Sequence, residues 1–256
     1  MPRRVLIYPY NSSSLSVAAL RAAMPELRII RRVRSRYSPR PDDLVINWGC
    51  TRLPWMMPVW NHPEMVRLAS NKASAFAAFK EAGIGCPHYT TDPERARSWL
   101  AEGHRVVGRT SFGGTQGRNI VLRFPEDGVA DFSGEVLWTK YWKKQREFRI
   151  HVIKGICMAE SEKKRKRGLD ADKYIRSNRH GWVFARGHLQ DNPVPPECKA
   201  AAIGAVEALG LDFGGVDVGW HSGRVCVFEV NTAPGLEGST LTPYINKFRE
   251  YADDVA

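Results

Sequence analysis

No run of the 256-residue chain approaches the roughly 18 consecutive apolar residues of a membrane-spanning helix, so no membrane is expected among its partners. The first apolar stretch, Val5 to Tyr8, is too short for a secretory signal and reads as a first strand; the expected compartment is the cytoplasm. The five cysteines (Cys50, Cys86, Cys157, Cys198, Cys226) include no C-x-x-C pair and no metal-ligand spacing. That argues against a zinc site or a disulfide framework and fits buried thiols in a reducing compartment. The G-x-x-x-x-G-K-[ST] loop is missing too, and there is no internal repeat or low-complexity tract. Acidic residues are scarce, 27 against 38 basic, which leaves a formal net charge of +11. Such an excess either draws in nucleic acid or an acidic polypeptide, or lines a pocket that holds phosphates. Much of it lies in two runs, Lys163, Lys164, Arg165, Lys166 and Arg167, and Arg28, Arg31, Arg32, Arg34 and Arg36. The earlier run reads most simply as a solvated loop.

What is present is ordinary globular material, 43% hydrophobic and 25% charged, enough for one large domain or two small ones. Residues 1 to about 60 read as strand, helix, strand. Ser14 would cap a helix whose Leu15, Val17, Leu20 and Ala23 have helical spacing, and Asp42 to Gly49 reads as a turn, then the second strand, then a loop. A helix is expected over residues 71–83, and another from Asp92-Pro93 to Gly103. Residues 105–109 and 119–122 form a hairpin around a glycine-rich loop. Strands follow at 136–142 and 147–154, then an alanine-rich helix at 197–209. Two strands near the end, 213–220 and 224–230, are joined by a tight turn at His221-Ser222-Gly223.

That last hairpin carries the strongest chemical signal. Glu229 and Asn231 are two apart on one strand and share a face, and Asp217 lies on the adjoining strand. Two carboxylates and an amide oxygen are hard ligands of the kind magnesium takes, with positions left for water and phosphate. Val216, Val218, Phe228 and Val230 would bury the strands beneath. The loop with Ser111, Gly113, Gly114, Thr115 and Gly117 runs from strand to strand, so it offers no helix N-terminus; it would fold over phosphates as a flap.

Taken as an ordered series over residues 71 to about 240, these motifs resemble the ATP-grasp superfamily. The wording is most similar to ribosomal-protein glutamate ligases and to ATP-grasp proteins of tailed bacteriophages. The resemblance implies an α/β (α+β grasp) fold: a short Rossmann-like module at 1–65, a small lid subdomain at 66–135, and a large subdomain with the metal site at 136–256. It implies ATP and magnesium, or manganese, as cofactors. Lys72 and Arg109 would contact phosphates, with Arg109 standing where the family usually has lysine. Lys140, Tyr141 and Trp142 would form the adenine hinge, and Glu147 would meet the ribose. Arg149, Arg165, Arg176 and Asn178 would act near the transferred phosphate. Asp217, Glu229 and Asn231 fall on the metal ligands. The implied activity joins a carboxylate to an amine through an acyl phosphate, in a host's cytoplasm if the chain is phage-encoded. The expected partners are small-molecule or peptide substrates of anionic character. In the basic run after the strand at 147–156, Arg165 would face inward and its neighbours would face an acidic substrate. Two alternatives keep the sequence features: an ATP-grasp kinase acting on a non-carboxylate group, and a non-catalytic nucleic-acid-binding protein. His180 and His188 read as satisfied surface histidines, and at least half of Trp48, Trp55, Trp60 and Trp142 as core, the others being free to stack on a base or a ring.

Overall fold

The computed structural model describes residues 4–113, 120–127 and 132–253. The first unit is a parallel three-stranded sheet of β1 (Val5–Pro9), β2 (Arg28–Ile29) and β3 (Leu44–Trp48), in the order β2-β1-β3, with α1 (Leu15–Ala23) as the crossover helix. β1 and β3 are buried along their whole length, as expected of apolar strands covered on both faces. Ser14 caps α1 by accepting from the Val17 amide at 3.4 Å. One face of this sheet packs with α1 against Phe213, Tyr244, Ile245 and Phe248; the other holds Leu6, Tyr8, Val45 and Cys50.

Asn61 ties this unit to the rest. Its amide N–H donates to Asp212 Oδ2 at 2.5 Å, its side-chain oxygen accepts from the Asp212 and Phe213 amides at 2.8 and 3.1 Å, and its Nδ2 donates to the Phe213 carbonyl at 3.0 Å. The residue is fully buried with φ of 59°, a left-handed conformation that asparagine tolerates. Asn61→Ala strands three buried backbone groups and puts alanine in that conformation. The expected loss is about 3–5 kcal/mol in a denaturant titration. A loss under about 1 kcal/mol would show that the tether holds nothing.

After α2 (Pro63–Ser70) and α3 (Lys72–Glu81) comes an antiparallel four-stranded sheet. It consists of β4 (Tyr89–Thr90), β5 (Val106–Arg109), β6 (Ile120–Arg123) and β7 (Leu137–Lys140), in the order β4-β7-β5-β6, and α4 (Pro93–Ala101) covers it. Asp92 caps α4, accepting from the Glu94 amide at 2.9 Å, with Pro93 at its first position. β7 pairs with β4 and β5. The expected boundary at residue 135 therefore cuts through this sheet, since β7 lies beyond it.

The five-stranded antiparallel sheet contains β8 (Arg146–Ile153), β9 (Ile156–Arg165), β10 (Trp182–Ala185), β11 (Phe213–His221) and β12 (Arg224–Asn231), in the order β10-β9-β8-β11-β12. α5 (Pro196–Ala208) packs Cys198, Ala202, Ala205 and Val206 against Phe148, Ile150, Val152, Val216 and Val218 on one face. Ser222 and Gly223, with φ of 49° and 79°, make the left-handed two-residue turn between β11 and β12. α6 (Leu241–Asp253) closes the chain against the first unit.

Two expectations change. Lys163 to Arg165, read as part of a bent loop, are the end of β9: pairing with β10 on one side and β8 on the other holds them extended. β2, α2, β9, β10 and α6 are not among the expected elements. β2 and β10 are two and four residues long, too short for a periodic signal, and a single residue separates α2 from α3. No helix among the described residues is long and apolar enough to cross a membrane.

Candidate active site

The other face of the five-stranded sheet looks across at the four-stranded sheet over a cavity of about 730 Å³. Strand alternation builds its lining. On β8, Phe148, Ile150 and Val152 go to the core, and Glu147, Arg149 and His151 face the cavity. Register then aligns the strands. Glu229 pairs with Asp217, Asp217 with Arg149, and Arg149 with Ser161, so four polar residues form one row across β12, β11, β8 and β9.

The row is dense in charge. Arg149 holds Asp217 with two bonds, Nε to Oδ1 at 2.7 Å and Nη2 to Oδ2 at 3.0 Å. Lys163 Nζ bridges Asp217 Oδ2 at 3.0 Å and Glu147 Oε1 at 2.6 Å. Lys72, at the start of α3, reaches Glu229 Oε2 at 2.6 Å. Burial pushes the Asp217 carboxyl up, but Arg149 and Lys163 overcome it and hold it below the ordinary range. Glu229 behaves alike: burial raises it, and Lys72 brings it down. Burial also opposes the Lys163 charge, which its two carboxylates restore and strengthen. Burial lowers Arg109 to about 10 and His151 to about 3, so the imidazole is neutral at pH 7. Eight basic and four acidic side chains line the cavity, a surplus that suits a polyanion.

Asn231 Nδ2 lies 3.1 Å from Glu229 Oε1, so the two share a face as their spacing requires. No group of three or more His, Cys, Asp or Glu among the described residues could hold a metal. A cation here would therefore need the Asn231 amide oxygen and ligand oxygens beside the two carboxylates. Such an all-oxygen set fits a hard divalent ion. Asp217 would join it by exchanging part of its bonding to Arg149 and Lys163.

Arg109 lines the cavity from β5, with Nη1 3.2 Å from Thr139 Oγ1 and Nε enclosed without a partner. Ser111 and Gly113 line it as well, and the Lys72 amide donates to the Phe112 carbonyl at 3.0 Å, joining this loop to α3. Gly114, Thr115 and Gly117 lie outside the described residues. Lys140, Tyr141 and Trp142 form part of the wall, as do Arg176 and Asn178. Glu147 sits among cations, with Lys144 at 3.5 Å and Arg176 at 3.9 Å besides Lys163, and its Oε2 has no hydrogen bond.

Arg165 is the residue that the structure does not bring in. It is exposed, at the end of the ladder opposite Trp182, with its guanidinium 5.8 Å from that ring. Lys163 is the cation of the run that faces inward. His180 bonds Ser177 and His188 bonds Glu162, and neither lines the cavity. Trp48 and Trp60 are core, Trp55 packs beside it, and Trp142 lines the cavity against Phe228. Lys144, His151, Ser161, Phe184 and Arg186 line it without having been singled out by the sequence, and Lys163, expected at the substrate entrance, lines it too. Alternation from Glu147 and Arg149 would have reached His151; Arg186 carried no signal.

Two antiparallel sheets closed over a cation-lined cavity, with a small α/β unit in front, define a grasp-type α+β protein. Solved structures share that architecture. The ATP-grasp ligase PsnB, complexed with a phosphomimetic variant of its minimal precursor, Mg and ADP, superposes with a TM-score of 0.69 at 14% identity, over 99% of this chain and 100% of that one. The D-alanine–D-alanine ligase of Bacillus anthracis complexed with ATP gives 0.65 at 13% identity, over 100% of each. In sequence, a probable alpha-L-glutamate ligase of Thioalkalivibrio sulfidiphilus is 29% identical over 191 residues, 70% of this chain and 60% of that protein. One from Pseudoalteromonas translucida is 27% identical over 216 residues, 78% and 69%. The ribosomal protein bS6–L-glutamate ligase of Shigella flexneri is 31% identical over 142 residues, 52% and 44%. The matched region thus spans less than two thirds of two of these three relatives. No family model matches the chain. The chain thus shares the fold of ATP-grasp ligases and is similar in sequence to alpha-L-glutamate ligases.

Proposed function

We propose that this protein is an ATP- and magnesium-dependent ligase that joins a carboxylate to an amine. The observation that carries the reading is the row Glu229, Asp217, Arg149, with Lys72 and Lys163 bonded to its carboxylates, on the wall of a cavity large enough for a nucleotide and a second substrate. The likeness to named glutamate ligases supports the same reaction class. The four-stranded sheet with α3 serves as the lid over ATP, the five-stranded sheet carries the chemistry, and the first 65 residues wall the substrate end.

Glu229, Asn231 and Asp217 would hold magnesium, which when bound draws charge from the phosphate oxygens. Lys72 and Arg109 bind those oxygens, with Ser111 and Gly113 beside them. Lys140, Tyr141 and Trp142 seat the base. A substrate carboxylate oxygen attacks the γ-phosphorus as the bond to the bridging oxygen breaks, giving an acyl phosphate and ADP. The step needs positioning and charge neutralisation more than a base. Arg149, Arg176 and Asn178 steady the acyl phosphate. The amine then attacks its carbonyl carbon, phosphate leaves, and the amine's proton passes to solvent.

ADP release is to be screened with amino acids and short peptides, with hydroxylamine added and products weighed by mass spectrometry. A hydroxamate, and a condensed product lighter than its parts by one water, are expected. ADP formed with a phosphorylated hydroxyl and no hydroxamate would replace the ligase by a kinase. Salt-sensitive nucleic-acid binding without hydrolysis would replace it by a binding module.

A further inference from the structure

His151 and Tyr244 are buried polar side chains that the proposed reaction leaves unused. His151 Nδ1 lies 3.1 Å from the Tyr244 hydroxyl, and the two rings meet edge to face with centroids 5.7 Å apart. Tyr244 is fully buried, and its ring otherwise meets Trp48, Phe213 and Phe248, none of which offers an acceptor to its O–H. Among the described residues, His151 is the hydroxyl's one hydrogen-bond partner. Burial pushes the phenol pKa up, so its proton stays on.

Hydrogen-bond accounting then places every proton. A buried O–H left without an acceptor bears its full desolvation cost, so the Tyr244 hydroxyl donates to the Nδ1 lone pair. The neutral ring must carry its own proton on Nε2. Burial, with the Arg149 and Arg186 charges nearby, keeps a second proton off it. Nε2 has no partner among the described residues and opens on the cavity, which His151 lines. His151 therefore shows the cavity an N–H and no lone pair, so it cannot take a proton from an amine.

The floor beside that N–H is bare. The ladder partners of His151 are Gly215 on β11 and Ala159 on β9, and Asn231 stands beyond Gly215 on β12. A Cβ on Gly215 would come within 2.9 Å of the Pro234 Cβ and 3.6 Å of the His151 Cε1, so any side chain there would fill the space next to the ring. Arg149 lies two residues before His151 on the same face, about 7 Å along the strand. It holds Asp217 through Nε and Nη2, which leaves Nη1 for another anion. An acyl phosphate laid over Gly215 would put its phosphate towards Arg149 and its carbonyl oxygen towards His151.

We infer that His151 is a catalytic hydrogen-bond donor, held by Tyr244 as the Nε2–H tautomer, which binds the carbonyl oxygen of the acyl phosphate and stabilises the oxyanion formed when the amine adds. This rests on the ligase reading for the identity of the reacting group. As the C–N bond forms, the C=O π pair moves onto that oxygen. When the pair returns, the C–O bond to phosphate breaks, phosphate leaves with its electrons, and the amine's proton passes to solvent. A fixed donor aimed where charge develops acts on the transition state more than on substrate binding.

The first test is nitrogen NMR of the full chain with isotopically labelled histidine, the His151 signals being those lost in His151→Gln. Nε2 should carry the proton and Nδ1 should show the shift of an unprotonated ring nitrogen that accepts a hydrogen bond. The reverse pattern, or a ring protonated on both nitrogens at pH 7, would overturn the inference. The second test is single-turnover kinetics with hydroxylamine as the amine and, as carboxylate, whichever amino acid or short peptide releases ADP. His151→Phe combined with Tyr244→Phe removes donor and partner together and strands neither, so the chain should fold, which circular dichroism checks. In that variant ADP should still appear in the first turnover nearly as fast as in wild type, whereas hydroxamate should form about 100- to 1000-fold more slowly, as for the loss of one oxyanion donor. His151→Gln, which keeps an amide N–H in reach, should recover part of that loss, and Tyr244→Phe, which keeps the donor and removes its holder, should lose less than the double variant. Equal slowing of both steps would make His151 a structural residue and overturn the inference, as would wild-type capture by the double variant. If no amino acid or peptide releases ADP from wild type, the ligase reading falls and the role at the carbonyl falls with it, while the nitrogen shifts still decide the tautomer.

Discussion

Replacing Glu229 by Gln is expected to cut magnesium-dependent ADP formation at least about 100-fold, while the thermal midpoint moves by only a few degrees. The change is isosteric, so packing against Phe228 and Val230 is kept. What goes is one negative charge facing Lys72 at 2.6 Å and standing opposite Asp217 in the ladder. Loss of a metal's outer-shell partner alone typically costs 10- to 100-fold; a direct ligand should cost at least as much. The stability change is small because the isosteric amide oxygen can still accept from Lys72 and the side chain keeps a quarter of its surface exposed. Raising magnesium should restore part of the rate, since the variant weakens the site without removing it. Asn231→Ala should show the same magnesium dependence, more weakly, because an amide gives up no charge. Wild-type turnover of Glu229→Gln at ordinary magnesium would remove Glu229 from the metal site and leave its bond to Lys72 as a structural pair.

The row was half legible in the sequence, for a physical reason. Glu229 and Asn231 share a face because strand side chains alternate, and one tight turn puts Asp217 opposite Glu229. Both facts are local. Arg149 was placed by its own strand's alternation and by resemblance. Lys163 was hidden: in a run of five cations, composition cannot say which faces inward, and only the pairing of β9 with β8 and β10 decides it. Arg186 is harder still, since it follows a four-residue edge strand whose position depends on β9. The fold divides the same way. α1 and α4 announced themselves through Ser14, Asp92 and Pro93. α6 did not, although Tyr244, Ile245 and Phe248 have helical spacing.

Lys163→Met is expected to destabilise the protein by about 3–5 kcal/mol at pH 7 and to lower ADP formation about 100-fold or more. The methionine fills the volume of the lysine stem and removes the ammonium that bridges Glu147 and Asp217. Both carboxylates stay buried. Asp217 keeps Arg149, and Glu147 keeps the more distant Lys144 and Arg176. The pH dependence separates this cause from simple loss of packing. In the native chain the Asp217 carboxyl lies below its ordinary range, so its contribution is fully present above the unfolded value of about 3.9 and is lost as pH falls below it. Without Lys163, burial drives the folded Asp217 carboxyl up. A group raised above its unfolded value contributes below that value and loses its contribution as pH rises through the folded one. The deficit relative to wild type should therefore widen from pH 5 to pH 8, read as denaturant midpoints of both proteins at each pH. A deficit that is the same at both would mean that the ammonium does not hold these carboxylates charged. Lys164→Met is the control: Lys164 points the other way, to Glu162 at 2.8 Å, and its side chain is 44% exposed, so the change in stability should stay within about 1 kcal/mol and the rate should hold. If Lys164 and Lys163 prove equally costly, the inward placement of Lys163 is wrong, and the run acts as a block of surface charge.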